Sequence, residues 1–498
     1  MTDALDHGIT VTEIPSMEQP IDVNVETSAA FVGRTLRGPL DTPVPVSNYG
    51  DYRRRFGGDW VRSGMSSAVR QFFDHGGREL TVVRVANAAR GAMLVVPASG
   101  SALVLRAVEP GSTEKLRAAI DYDGLDDDER FNLVLQRIDP ESGVLQDQEL
   151  HRDLSFAEGG RRFVADVLST SLLARVEHPF PTHRPESTGA NYVDAVQDGN
   201  DGNELSDYDV VGSRRDSTGL FSLNGIDRFD LLYLPAIGRH RQVGPTGLLA
   251  AELYCRERGA ALVVDPSRDW ETVDDAVLGM RKLGFASSNM LGYFPRMLVR
   301  GEDAPLDAGG AVAGLLSRLD REHGTWHDVS QVAMQRRLQP SIALSGEDEQ
   351  ALSRAGLNAI VAKKAAQSVI RGDRTMGRGN ESHTLYARLS TRRTLLRIVN
   401  CIDHATRWAV FEQTDAALVQ QVSGQLSAFL SCLADLEAFD DDDFSLDCSV
   451  LSPSGDTPGL SIDISFTPRG AGSPVFLTLQ QSVGGMRVVD TAFARPSV

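Results

Sequence analysis

Hydrophobic positions along this 498-residue chain recur in two alternating periods, and the switches between them predict its elements. Ala29 to Val32 is a short apolar run ended by Gly33, the pattern of a strand buried on both faces. Gly38-Pro39 and Pro43 then hold the backbone in turn and extended states. Beyond Gly57-Gly58, the residues Val61, Met65, Ala68, Val69, Phe72 and Phe73 share one face at helical spacing, until Gly76-Gly77 stops the helix. Valine-rich Leu80 to Val85 is the next buried strand. Strand, helix and strand in that order form a β–α–β unit, whose crossover helix implies a parallel pair.

The texture changes between Ala102 and Glu177, where short strands (Ala102 to Val108, Phe131 to Ile138, Leu173 to Val176) alternate with polar turns and one short helix, Gly160 to Leu168. This block interrupts the α/β pattern and reads as an inserted β-rich domain. The alternation resumes after the Asp198 to Asn203 cluster: strands at Phe229 to Leu234, Ala260 to Val264 and Met290 to Phe294 enclose helices at Leu248 to Arg258 and Trp270 to Leu283. These extend the parallel sheet. A last, α+β unit follows, with helices at Thr394 to His404 and Ala416 to Leu436. The second carries Leu418, Val422, Leu426, Phe429, Leu430 and Leu433 on one face. Asp440 to Asp443 reads as a charged loop end before strands at Phe444 to Val450, Leu460 to Phe466 and Val475 to Leu479. Each terminus carries a further β-prone segment: Ile9-Thr10-Val11-Thr12-Glu13-Ile14 alternates strictly, and Met486 to Phe493 follows a Gly484-Gly485 hinge.

Several of these landmarks, in order, resemble contractile tail sheath proteins. They are Phe31-Val32-Gly33, Gly38-Pro39, Phe56-Gly57, Phe72-Phe73 with Gly76-Gly77, Thr218-Gly219-Leu220-Phe221, and Arg318 to Trp326 after Gly310 to Gly314. Leu357 to Ile360, Arg392-Arg393 and Val410-Phe411-Glu412, similar to the family's Phe-Glu signature, continue the series. His327 to Ala333 departs from the family by lacking its usual proline. The expected organisation is an N-terminal arm (1–24), an α/β core with a parallel-type sheet (25–95 and 200–375), the insert (96–199), a C-terminal α+β domain (376–484) and a C-terminal arm (485–498).

The resemblance implies a structural subunit that polymerises helically around an inner tube and contracts to drive it through a target envelope. Its partners would be further copies, the inner tube protein, and baseplate and terminal cap proteins. Ile9, Val11, Ile14, Val488, Val489 and Phe493 would lie in arms that add strands to neighbouring copies. Since the family's C-terminal domain touches the tube, Ala416, Gln420, Gln421 and Gln425 are the expected tube-facing positions. A non-contractile shell or baseplate component, or an α/β enzyme with a ligand at its strand ends, are the alternatives.

Composition narrows this picture. A net charge of −18 argues against a general nucleic-acid binder, which needs a basic footprint to displace counterions. No apolar run reaches the roughly 20 residues of a membrane span, and no secretory signal opens the chain, so synthesis in the cytoplasm and assembly into a phage tail or tail-like particle is expected. Cys255, Cys401, Cys432 and Cys448 lack metal or disulfide spacing.

Candidate chemistry is sparse. His323 and His327 have the four-residue spacing of a helical zinc pair, but a glycine lies between them and the companion glutamate is missing. Gly244-Pro245-Thr246-Gly247 has no lysine for phosphate and reads as a tight turn. Gly309, Gly310 and Gly314 read as close helix packing rather than a dinucleotide fingerprint. Asp198, Asn200, Asp201, Asn203 and Glu204 have oxygen ligands but no EF-hand register, and read as a solvated turn. No catalytic residue, cofactor or metal is expected.

Overall fold

The computed structural model describes residues 20–23, 26–300, 304–335, 337–363, 367–377, 385–412, 415–451, 459–482 and 485–493. The chain opens with strand β1 (Ser28–Gly33), β2 (Val44–Val46), helix α1 (Tyr49–Phe56), helix α2 (Met65–Asp74) and β3 (Glu79–Arg84). β1 and β3 pair in parallel, Ala30 opposite Thr81, as the apolar runs predict. Asn48 caps α1 by accepting the Asp51 amide at 2.8 Å. Gly38 has φ +105°, and a Cβ there would lie 2.6 Å from the Phe56 ring, so only glycine fits that turn. Val61 is not on the α2 stripe: it precedes the helix in a turn and is 74% exposed.

The insert contains β4 (Met93–Ala98), β5 (Ser101–Ala107), β6 (Lys115–Asp121), β7 (Arg130–Ile138), β8 (Leu145–Ser155), α3 (Val164–Leu168), β9 (Ala174–Val176) and β10 (Val193–Asp194). Sheets β4-β5-β9 and β10-β6-β7-β8 share one core, with Leu94, Leu103 and Leu105 from the first and Ile120, Leu133 and Leu135 from the second. The β-rich texture is therefore observed, starting at Met93. Two buried arginines tie the core to the insert. Arg84, the last residue of β3, donates to Gly38 O at 2.6 Å and Pro110 O at 2.7 Å. Arg34, just after β1, donates to Asp201 O at 2.7 Å and Asn203 O at 2.9 Å. Their carbonyl partners replace the water that burial removes.

The core resumes with α4 (Asp207–Val211), β11 (Leu231–Tyr233), α5 (Pro245–Arg258), β12 (Ala261–Val264), α6 (Val273–Lys282), β13 (Met290–Phe294) and β14 (Met297–Val299). It closes with α7 (Gly309–His323), β15 (Leu338–Pro340), α8 (Gly346–Ala355), β16 (Leu357–Lys363) and β17 (Gln367–Arg371). Its eight-stranded sheet has the order β17-β16-β13-β12-β11-β1-β3-β2. The pairs from β16 through to β3 are parallel, and the edge strands β17 and β2 run antiparallel. Buried on both faces by helices, the inner strands are apolar without alternation, which made them legible.

The last elements are α9 (Leu389–Thr406), α10 (Ala416–Asp435) and the meander β18 (Phe439–Val450), β19 (Leu460–Pro468), β20 (Val475–Ser482) and β21 (Gly485–Phe493). Leu418, Val422, Leu426 and Leu430 of α10 pack with Ile462, Ile464, Leu477 and Leu479 of the sheet. The chain divides into two compact units. One spans Glu26–Glu322 and Asp328–Arg378; the other spans Met1–Val25, His323–His327 and Gly379–Val498. Ile21, Val23 and Trp326 pack on the core of the second, so its apolar centre draws on three separate stretches of chain.

Two expectations are corrected. Asp440 to Asp443 is not a loop end: it belongs to β18, in a bulged stretch between Phe439 and Phe444. The Asp440 carboxylate accepts the Gly470 amide at 2.5 Å and the Gly472 amide at 3.2 Å, so the charge closes the turn after β19. The C-terminal segment, expected to stand apart from residue 485, pairs instead with this chain's own β20, Leu477 opposite Thr491. An edge of unpaired amides and carbonyls takes the nearest strand available, and in a single chain that is the one directly following.

Candidate functional site

Each motif that suggested chemistry is filled by the protein itself. The α5 N-terminus, with amides free to bind an anion, holds the Asp207 carboxylate, which accepts from Gly244 N at 2.9 Å and Gly247 N at 3.0 Å. At the α7 N-terminus the Asp265 carboxylate accepts from Gly309 N at 2.9 Å. Gly310 and Gly314 face α2, where added Cβ atoms would come within 2.3 Å of Ala68 O and 2.1 Å of Phe72 O; these glycines serve close helix packing. Asp201 accepts from Ser112, Glu204 pairs with Arg62, and Asp198 pairs with Lys115. The rings of His323 and His327 stack at 4.9 Å, and among the described residues no group of three metal-ligating side chains occurs.

The crevice where a doubly wound sheet takes its ligand is also occupied. Strand order reverses at β1, which lies between β3 and β11. At the carboxyl ends of β1 and β3, Arg34 binds the backbone of the crossing back from the insert, and Arg84 binds Gly38 O and, in the β5–β6 connection, Pro110 O.

One titratable group stands out. The Asp265 carboxyl, at the end of β12, accepts from Tyr233 Oη at 2.5 Å and lies near Asp307, itself paired with Arg296 at 2.8 Å. Burial, with Asp307 adding like charge, pushes Asp265 up to about 8. Burial likewise lifts the Tyr233 hydroxyl well above its ordinary range. The group is partly buried, and through the Gly309 amide it stabilises the start of α7.

Those expected assembly residues that are described fall on the second unit. Ile9, Val11 and Ile14 lie outside the described residues. Val488 and Val489, on β21, are 48% and 53% exposed, and the Phe493 backbone lies opposite Val475. A register shift between Thr478 and Leu479 leaves Val489 as the extra residue of a bulge. On α10, Ala416 and Gln420 are exposed while Gln421 and Gln425 are half-buried beside the apolar face. Phe411, in the stretch resembling the Phe-Glu signature, is 80% exposed.

No family model matches the sequence, and no curated protein aligns with it significantly. The fold does match. A sheath tail protein from Listeria innocua superposes with TM-score 0.63 at 13% identity, over 92% of this chain and 95% of that one. The fold is that of contractile tail sheath proteins. A second sheath tail protein, from Desulfitobacterium hafniense, gives TM-score 0.54 at 12% identity over 95% and 99% of the two chains. The helical sheath of the anti-feeding prophage in its contracted state gives 0.54 at 13% identity over 94% and 96%. Each of these superpositions covers more than nine-tenths of both chains.

Proposed function

We propose that this chain is the structural subunit of a contractile sheath, many copies of which wind around an inner tube and shorten to drive it through a target envelope. The observation that carries the reading is the match of nearly the whole chain to sheath structures, two of them solved in the contracted state. Filled ligand positions at the α5 and α7 N-termini and at the β1 switch point favour it over the α/β enzyme.

Copies are joined by strand addition. β21 leaves its place beside β20 and pairs with the same edge of a neighbour, remaking the same hydrogen bonds, so the exchange costs little beyond ordering. The N-terminal segment with Ile9, Val11 and Ile14 adds to a sheet in the same way. The linked C-terminal units form the inner mesh, and Ala416, Gln420, Gln421 and Gln425 of α10 face the tube. The bodies outside it move as rigid units during shortening. Energy stored at assembly drives contraction, because the contracted lattice buries more interface, and no nucleotide is consumed. Baseplate and terminal cap proteins bound the polymer, which is part of a phage tail or tail-like particle, and no nucleic acid takes part.

Truncation tests the arms. Removing Met1 to Pro15, or Val488 to Val498, abolishes pelletable polymer while the monomer keeps a cooperative melt. The double substitution V488D/V489D, at positions already exposed in the single chain, separates lost assembly from lost folding. Polymers of normal length in all three variants overturn the arm model.

A further inference from the structure

Helices α6 and α8 enclose an open groove of about 400 Å³ on the core, with Val277, Ala351 and Ala355 as its apolar floor and Arg281 and Arg354 on its rim. Lys282 follows Arg281, and all three cations are exposed. None forms an ion pair or side-chain hydrogen bond with another described residue. The sequence explains why: four residues before Arg281 and Lys282 stand Val277 and Leu278, and four before Arg354 stands Gln350. The last turn of α5 is built differently, since Arg256 pairs with Glu252 at 2.8 Å. Placement at helix C-termini accounts for the sign of these charges, which offset the helix dipoles. Lys282 feels Asp275 only at longer range, and the dipoles account neither for the lack of direct ion pairs with described residues in a chain of net charge −18 nor for the apolar floor between the cations.

A complementary shape exists elsewhere on the same chain. The β6–β7 connection ends in Leu125-Asp126-Asp127-Asp128-Glu129, one apolar side chain followed by four carboxylates. Asp127 and Asp128 pair with Arg130 and Arg184, whereas Asp126 and Glu129 are exposed and pair with no described residue. We propose that the α6–α8 groove docks the 125–129 loop of another copy of this chain, Leu125 on the floor and the carboxylates against Arg281, Lys282 and Arg354. The competing acidic run, Asp440 to Asp443, is held in β18 with Asp440 already bonded, and offers no apolar side chain within it. Such a contact fixes the spacing of cores and inserts outside the mesh, and it weakens with salt. It rests on the sheath reading only in requiring that copies meet.

The chain's four lysines, Lys115, Lys282, Lys363 and Lys364, make a direct test practicable. Equal amounts of 15N-labelled and unlabelled full-length protein are mixed before assembly, treated with a carbodiimide that joins amines to carboxylates without a spacer, and digested for mass spectrometry. The expected product joins Lys282 to the 125–129 loop in mixed-isotope peptides. It is lost in R281E/R354E, whose critical concentration for assembly rises about tenfold, equivalent to ~1.4 kcal/mol. Parent polymers in which Lys282 joins only carboxylates outside that loop, or none, overturn the docking while leaving the sheath reading intact. A parent chain that never self-associates overturns both.

Discussion

Burial sets the charge of Asp265, and that charge sets a slope in stability. The free carboxyl titrates near 3.8, whereas in the fold it rises to about 8. Between those values the unfolded chain releases the proton and the folded chain keeps it. This group's contribution is therefore complete below about pH 4, declines as pH rises, and is gone above about pH 8. The urea midpoint of the monomer is expected to fall from pH 5 to pH 8, and D265N is expected to flatten that fall. An unchanged slope in D265N contradicts the assignment. At Gly310 and Gly314 the constraint is steric: G310A or G314A forces α7 away from the α2 carbonyls. Each is expected to cost about 1–3 kcal/mol in equilibrium unfolding, the usual range for overpacking a filled interface.

At the scale of elements, the N-termini of α5 and α7 are stabilised by carboxylates distant in sequence. Asp207 caps α5 from well outside the helix, and D207A leaves two amides without their anion. The expected loss is about 1–2 kcal/mol by urea denaturation, with binding of no phosphate in its place. Sequence periodicity reached those elements whose pattern is local. Ala416 to Leu436 is observed as Ala416–Asp435 with its six predicted apolar residues buried, because an amphipathic helix carries its own signal. The buried parallel strands were legible for the same reason. β8 was not, since LQDQELHRDLS is mostly exposed and its polar residues hide the alternation. The aspartates of β18 read as a loop in sequence because charge runs usually sit in solvent, whereas here a bulge accommodates them. The Asp207 cap depends on a tertiary contact that no window of sequence contains, whereas the β20–β21 hairpin carries a local signal, Gly484-Gly485 between two β-prone runs. Of the site itself, the missing lysine and glutamate of the candidate motifs are visible in sequence, but not the side chains that occupy the α5 and α7 N-termini.

For the whole molecule, the account joins a sheath fold to a chain whose outermost C-terminal strand lies at a sheet edge with two exposed valines. In the proposed exchange the same hydrogen bonds that satisfy β20 within one copy would link two copies, so folding and assembly would compete for one strand. Higher protein concentration is therefore expected to favour exchanged polymers, detected by sedimentation, and dilution to return closed monomers. Electron microscopy of the full-length chain, alone and co-expressed with its tube protein, tests the central claim most directly. The account predicts hollow, helically striated cylinders, with tube density inside when the partner is present and β21 resolved in the sheet of a neighbouring copy. Stable monomers under both conditions, with no polymer at any concentration, would contradict it.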